Sequence, residues 1–379
     1  MLELDPAASY LRWQTAPGVR DVLPEEATVR RQLEAIIRET LAAAGYQEVE
    51  TPIFEYEEVI RAGGWLQDET GECGGVVLTG AGSPEVYRFF DREGHTLVLR
   101  PDMTTPIARL AATRLASAPR PLRLAYIADV FRYEEVHAGR LRQFRQAGVE
   151  RIGGAREIDA DMEILSLASR LLARLGLFRF RIDIGHAELV RGLIAAGRFG
   201  GREARLIRQA LRRRDYVLLR ELVEQRGEQV GPQDRQVSAA RRLLLELPRW
   251  RGGFAMLEAA RKQLAFLLGD FPQLAAALDD LHALLTRAKE EGLGIYERES
   301  SGGGPTQVIA LDLGLVRDLG YYTGPVLEGF VPEVGFTLLT GGRYDRLLEQ
   351  FGSRPEPATG FAIGLERVIL ARERAGRLR

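Results

Sequence analysis

Residues 131–150 read FRYEEVHAGRLRQFRQAGVE, and their polar side chains recur at intervals that could serve chemistry. Arg132 and Glu134 are two apart in an alternating run, which puts both on one face of a strand. A guanidinium so placed can hold an anionic oxygen in a bidentate fork, and a solvated surface pair has the same pattern. Gln146 and Glu150, four apart on the returning segment, add acceptors that suit an ammonium group. Asp102 in LRPDMTTPIARL follows a strand and stands close to a helix start. An aspartate there is ordinarily a cap, and otherwise a carboxylate at the floor of a pocket. LVRDLGYYTGPVLE carries Arg317 as a second anion clamp beside Tyr321 and Tyr322, one of which belongs to the core side of a strand. Arg367 lies on the first turns of the last helix, where a plain helix-face arginine would look the same. Several anion clamps and carboxylates at strand ends suit a small zwitterion, a nucleotide, or both.

The elements that must carry these residues can be read from periodicity. VRRQLEAIIRETLAAAGY places Leu33, Ile36, Ile37, Thr40 and Leu41 on one helical stripe, with Gly45 as the stop. YQEVETPIFEYEEVI reads as a strand broken at Pro52, and VYRFFDREGHTLVLRPD as a hairpin turning at Asp91–Gly94. A helix over about 104–116, a strand over 122–132, the hairpin quoted above and a helix from Asp159 to Leu175 follow. After the short strand FRIDIG the pattern turns helical: LVRGLIAAG, EARLIRQALRR, DYVLLRELVEQRG, QVSAARRLLLEL and FPQLAAALDDLHALLTRAKEEG. Strand signals resume at QVIALDLGL, and the closing helix is expected from about Ile363. Strands on both sides of a helical stretch predict an α+β fold with an antiparallel sheet. The expected division is 1–184 and 296–379 for one interrupted domain, and 185–295 for a mainly helical insertion. No GxGxxG follows an early strand, which argues against a nicotinamide-binding unit.

Composition narrows the function classes. At 45% apolar and 28% charged residues over 379 positions, the chain is expected to fold as a globular protein with a sizeable core. A net charge of −1 supplies no global basic field to collect nucleic acid. Cys73 is the one cysteine and has no disulfide partner in the chain, and the four histidines fall in no HExxH or CxxC pattern, so no metal is expected. The N-terminal residues do not read as a signal peptide and no apolar run approaches a membrane span, so the cytoplasm is the expected location. All but two of the 52 basic residues are arginine, the exceptions being Lys262 and Lys289. A single arginine therefore means little without its local pattern.

The joint order of the motifs resembles class II aminoacyl-tRNA synthetases, and histidyl-tRNA synthetase most closely. TPIFE, with Pro52, is similar to the family's dimer-forming first motif. FRYEEVHAGRLRQF is similar to the second, which places ATP-site positions on Arg132 and Glu134, and GFAIGLER to the third, which places another on Arg367. LVRDLGYYTG and QAGVE resemble the histidine-specific segments, giving Arg317, Tyr321, Tyr322, Gln146 and Glu150 as pocket positions. GGRYD is kept intact, and Asp102 in RPDMT stands where the synthetase pocket has a glutamate.

The departures point within this family. Glu135, Val136 and His137 replace the Arg-Pro-Gln of the second-motif loop, and a carboxylate there repels ATP phosphates and tRNA alike. The acid of the RGLD turn has moved in Arg317–Asp318–Leu319–Gly320, and the sequence ends twelve residues after Arg367, short of an anticodon-binding domain. PGVRDVLPEEA, LRPDMTTPIARL and DIGHAELVRGLI together resemble the regulatory subunits of ATP phosphoribosyltransferase. That resemblance implies a non-catalytic chain without cofactor that pairs with a short-form catalytic subunit in a hetero-octamer. It also implies a synthetase-like dimer, L-histidine as effector, and no part for tRNA. Two other readings of the same motifs are a truncated synthetase that forms histidyl-adenylate, and a paralogue that modifies another substrate.

Overall fold

A computed structural model describes residues 11–66, 86–135, 141–154, 158–225, 235–297, 307–317 and 320–376. The first helix, α1 (Pro24–Ala43), starts with a proline at its first position and carries Glu25 and Glu26 in its first turn, against the positive end of the helix dipole. Its buried stripe is Leu33, Ile37, Thr40 and Leu41, and Gly45 turns the chain away at φ +81°. The stretch expected as one broken strand is instead β1 (Gln47–Glu48), β2 (Phe54–Tyr56) and a short helix, α2 (Glu57–Ala62). Acids at the helix start and the Glu57–Arg61 pair, 3.5 Å across one turn, favour helix there over a continued strand.

The hairpin β3 (Arg88–Phe90) and β4 (Thr96–Leu99) turns at Asp91–Gly94 as expected, and β4 also pairs with β2, giving a small sheet in the order β2-β4-β3. Helix α3 (Thr104–Ala112) is shorter than the expected 104–116. Next come β5 (Leu122–Phe131), β6 (Gln143–Ile152), α4 (Ile158–Arg174) and β7 (Phe180–His186).

Helices α5 (Ala187–Ala196), α6 (Gly201–Arg213), α7 (Tyr216–Gln225) and α8 (Arg235–Glu246) lead to the short strand β8 (Arg251–Gly252). After it, α9 (Phe254–Leu264), a helix beyond those read from periodicity, precedes α10 (Pro272–Glu290) and β9 (Gly294–Ile295). The chain then runs through β10 (Gln307–Asp312), β11 (Pro325–Phe330), β12 (Leu339–Arg343) and β13 (Ala358–Gly364) into α11 (Leu365–Arg374). The closing helix therefore begins at Leu365, and Ile363 lies inside β13, which the sequence reading had not separated from it. Ladder bonds on both sides hold this glycine-rich segment extended, where local propensity is indifferent.

The large sheet has the order β1-β5-β6-β13-β12-β11-β7-β10-β8, with β9 beside β10. Its middle, from β5 to β7, is antiparallel throughout, and the pairs β1/β5, β7/β10 and β9/β10 are parallel. One face buries the main core: Ala147, Val149, Phe361 and Ile363 from the sheet meet α1, α4, α5 and α10 through residues such as Leu33, Leu172, Leu193 and Leu281. The other face carries a smaller core with Met103, Ile107, Tyr126, Val130 and Tyr344. Period-two alternation puts Gln146, Gly148 and Glu150 on that second face, opposite Ala128, Tyr126 and Leu124 of β5 and beside Gly364, Ala362 and Gly360 of β13. No described helix is long and apolar enough to cross a membrane.

Candidate functional site

The centre of the second face is polar although it is buried. Glu150 is 2% exposed; Thr104 Oγ1 donates to its Oε1 at 2.6 Å and the Tyr344 hydroxyl donates to its Oε2. Asp102, 4% exposed, accepts from the Thr105 backbone N–H at 3.3 Å through Oδ1. Its side chain does not cap α3 in the usual sense, since the cap position falls on Met103. Burial is the largest cause for both carboxyls and raises the pKa of each. For Glu150 desolvation outweighs the Thr104 and Tyr344 hydrogen bonds, and with Asp102 nearby the carboxyl is pushed up to about 8. Asp102 moves in the same direction from burial, against the pull of the Trp65 side chain and the Arg132 guanidinium.

Tyr126, Tyr321, Tyr322 and Tyr344 complete the surround, and burial raises each of their hydroxyls. The Tyr321 ring lies 4.7 Å from Tyr322 and 5.5 Å from Tyr344, centroid to centroid. Two glycines make the close packing possible. A Cβ on Gly360 would meet Glu150 Oε2 at 2.1 Å, and one on Gly148 would meet the Tyr126 hydroxyl at 2.5 Å. Two further buried polar atoms here, Gln146 Oε1 and Tyr126 OH, have no hydrogen-bond partner among the described residues, and Asp102 Oδ2 has only the Trp65 and Thr105 side chains turned toward it. Buried polar groups are ordinarily paired, and acceptors left over in this way are what an ammonium-bearing ligand would satisfy.

Arg132 joins this floor to an adjoining cavity of about 320 Å³ lined by Arg20, Glu26, Arg132, Glu134, Arg367 and Phe144, among others. Strand alternation does not extend to Arg132 and Glu134, because β5 ends at Phe131. Both residues nonetheless line the cavity, with Arg132 held by its backbone bond to Arg142 O at 2.8 Å. Its guanidinium donates from Nε to Pro101 O at 2.9 Å and lies over the Trp65 and Phe144 rings, 5.0 and 5.1 Å from their centroids. Arg367 donates to Thr337 O at 2.5 Å and stacks on Phe336, while Arg20 pairs with Glu26. With Glu134, Glu366 and Glu373 also on its wall, the cavity carries three guanidinium groups and four carboxylates. Its field is mixed rather than uniformly positive.

Arg317, read as a second anion clamp, forms an ion pair with Glu328 on β11, so a carboxylate already faces its guanidinium. Asp102, Gln146, Glu150, Tyr321 and Tyr322 converge on the buried floor, and Arg132, Glu134 and Arg367 on the cavity. Val136, His137, Asp318 and Leu319 lie outside the described residues, as does Cys73. Reading from sequence had not singled out Thr104, Tyr126 and Tyr344. Tyr344 stands in GGRYD, one of the segments that resemble the synthetase motifs.

A sequence model of histidyl-tRNA synthetase matches residues 18–368. The ATP phosphoribosyltransferase regulatory subunit of Symbiobacterium thermophilum is 41% identical over 97% of this chain and 82% of its own length. The chain belongs to the ATP phosphoribosyltransferase regulatory subunit family. The Moorella thermoacetica protein of that name is 42% identical over 96% of this chain and 83% of its own. Among solved structures, an ATP phosphoribosyltransferase regulatory subunit/histidyl-tRNA synthetase from Bacillus halodurans superposes with a TM-score of 0.76 at 31% identity, covering 95% of this chain and 83% of that one. The synthetase-like α+β fold implied by the motif order is therefore the observed fold. The family's name is that of a regulatory and not a catalytic subunit.

Proposed function

We propose that this chain is the non-catalytic subunit that makes a separate, short-form ATP phosphoribosyltransferase chain active and subjects it to feedback inhibition by L-histidine. It would act in the cytoplasm at the first step of histidine biosynthesis. The observation that carries the reading beyond family membership is the buried floor: two carboxyls and the unpaired Gln146 Oε1, closed in by tyrosines. Asp102, Gln146 and Glu150 suit the α-ammonium and imidazole nitrogens of histidine, and Tyr321 and Tyr322 wall the pocket, with Arg317 behind them. A pocket of this kind regulates if its ligand prefers one arrangement of the assembly.

The interrupted core of 1–184 and 296–379 would carry this pocket, with 185–295 as an inserted helical domain. Self-association as a synthetase-like dimer is supported by the outer face of the small sheet, where Phe54, Tyr56 and Phe89 are each more than a third exposed. Assembly with the catalytic chain as a hetero-octamer follows the family pattern, with no part for tRNA. The test is co-purification with a short-form ATP phosphoribosyltransferase and assay with and without histidine. Activity that neither needs this chain nor responds to histidine through it would end the proposal.

Convergence of Arg132, Glu134 and Arg367 on one cavity favours a second reading, a chain that forms histidyl-adenylate. Histidine-dependent ATP–pyrophosphate exchange separates the two. Robust exchange by the purified chain supports the second reading, and none is expected under the first, where these residues are the remnant of an ATP site.

A further inference from the structure

The helices between β7 and β10 hold the segment that carries the two pocket tyrosines. β7 ends on His186 and α5 begins at once with Ala187. The Ala187 N–H donates to Gly324 O at 3.0 Å, and Arg191, one turn further on, donates from Nη2 to Gly320 O at 2.8 Å. These two bonds bracket Tyr321, Tyr322 and Thr323. From the other side the end of β12 grips the same segment: Thr323 N–H donates to Arg343 O at 2.9 Å, and Thr323 Oγ1 and Asp345 exchange two hydrogen bonds of 2.9 Å.

Arg343 and Tyr344 are successive residues that reach opposite sides of the sheet. Tyr344 meets Glu150 in the pocket, whereas the buried Arg343 meets Asp161 of α4 and, at 2.9 Å, Asp280 of α10. Asp280 also faces His186 Nε2 at 3.4 Å. The His186 Nδ1 accepts the Glu188 N–H at 3.2 Å and so carries no proton, which leaves the ring proton on Nε2, directed at Asp280. One continuous set of polar contacts thus runs from α5 and α10 to the segment that carries Tyr321 and Tyr322.

We propose that Arg191, with the His186–Asp280–Arg343 contacts behind it, is a positioning residue that sets the Tyr321–Tyr322 segment for ligand, so that α5 and the occupied pocket are energetically linked. The inference rests on the reading of the pocket as a histidine site. The test is titration calorimetry of the full chain with L-histidine for wild type, Arg191→Ala, Arg191→Lys, Tyr321→Phe and the Arg191→Ala/Tyr321→Phe double variant, with the unfolding temperature of each. Arg191 is a partly exposed residue, so its loss should leave the unfolding temperature nearly unchanged. Loss of one hydrogen bond that acts through the segment should raise the Kd about fivefold, with most of the affinity restored by lysine. In the Tyr321→Phe background the same change should have less than about half that effect, because the two residues act through one element. Wild-type affinity in Arg191→Ala, or effects that simply multiply in the double variant, overturns the positioning role alone. Failure of wild type to bind histidine removes the reading of the pocket, and this inference with it.

Discussion

At the scale of single residues, Glu150 shows most plainly what burial does to a carboxyl. Its carboxyl is pushed up to about 8 by burial, while in the unfolded chain it titrates near the ordinary carboxylate value of 4.5. Between those values the folded protein holds a proton that the unfolded chain has released, so this group's contribution to stability falls as pH rises. Glu150→Gln should therefore flatten the decline measured by urea unfolding from pH 5 to 8, by an amount on the order of 4 kcal/mol for the unliganded chain. An unchanged pH slope would mean that Glu150 is ionised in the folded state. A cationic group entering beside Glu150 and Asp102 favours their ionised forms. Histidine binding at pH 7 should then release protons, seen as a buffer-dependent calorimetric enthalpy, and Glu150→Gln should lower that release. The i, i+4 spacing of Gln146 and Glu150 on a strand made their common face legible in the sequence. Thr104 and Tyr344 were not legible as partners of Glu150, because 46 and 194 residues separate them from it and only folding closes those distances.

Elements decide what a local pattern leaves open. β12 ends on Arg343, a buried cation turned toward the helices, and the next residue, Tyr344, turns to the opposite side and meets Glu150. Asp161→Ala would remove the carboxylate that the buried Arg343 guanidinium meets on α4 and leave Asp280 as its remaining ion-pair partner among the described residues. It should cost about 3 kcal/mol of unfolding free energy in urea, far more than the loss of an exposed pair such as Arg346–Glu349. The sheet β2-β4-β3 shows the opposite case, in which an outer face has no covering element among the described residues. Phe54 and Phe89 pack edge to face at 5.7 Å on that face, beside Tyr56. Phe54→Glu should weaken self-association at least about tenfold by sedimentation velocity, roughly 1.4 kcal/mol. A wild-type chain that stays monomeric at high concentration would remove the proposed dimer. Long amphipathic helices such as α1 and α4 were legible from periodicity, whereas α2 and β13 were not. Their state is set by neighbours: acids and an ion pair for the one, two flanking strands for the other.

For the whole molecule, ligand binding and stability are one equilibrium. A ligand that binds only the folded chain raises its stability by about 2.7 kcal/mol at a hundred times its Kd. Histidine at that excess should raise the unfolding temperature measurably, and Glu150→Ala should abolish the shift. A shift that survives in Glu150→Ala would place the effector site elsewhere on the chain.

By itself the sequence determined the family, the order of the motifs, the helices with strong periodicity and the alternation that sends Gln146 and Glu150 to one side of a strand. These are properties of neighbours along the chain, where side-chain spacing and backbone geometry act directly. Only the tertiary structure decided that Asp102, Glu150 and four tyrosines share one buried floor, and that Arg317 is met by Glu328. It also decided that the helices after β7 grip the tyrosine segment. Each of these depends on desolvation and on contacts between residues far apart in sequence, and such contacts exist only once the sheet has brought its strands together.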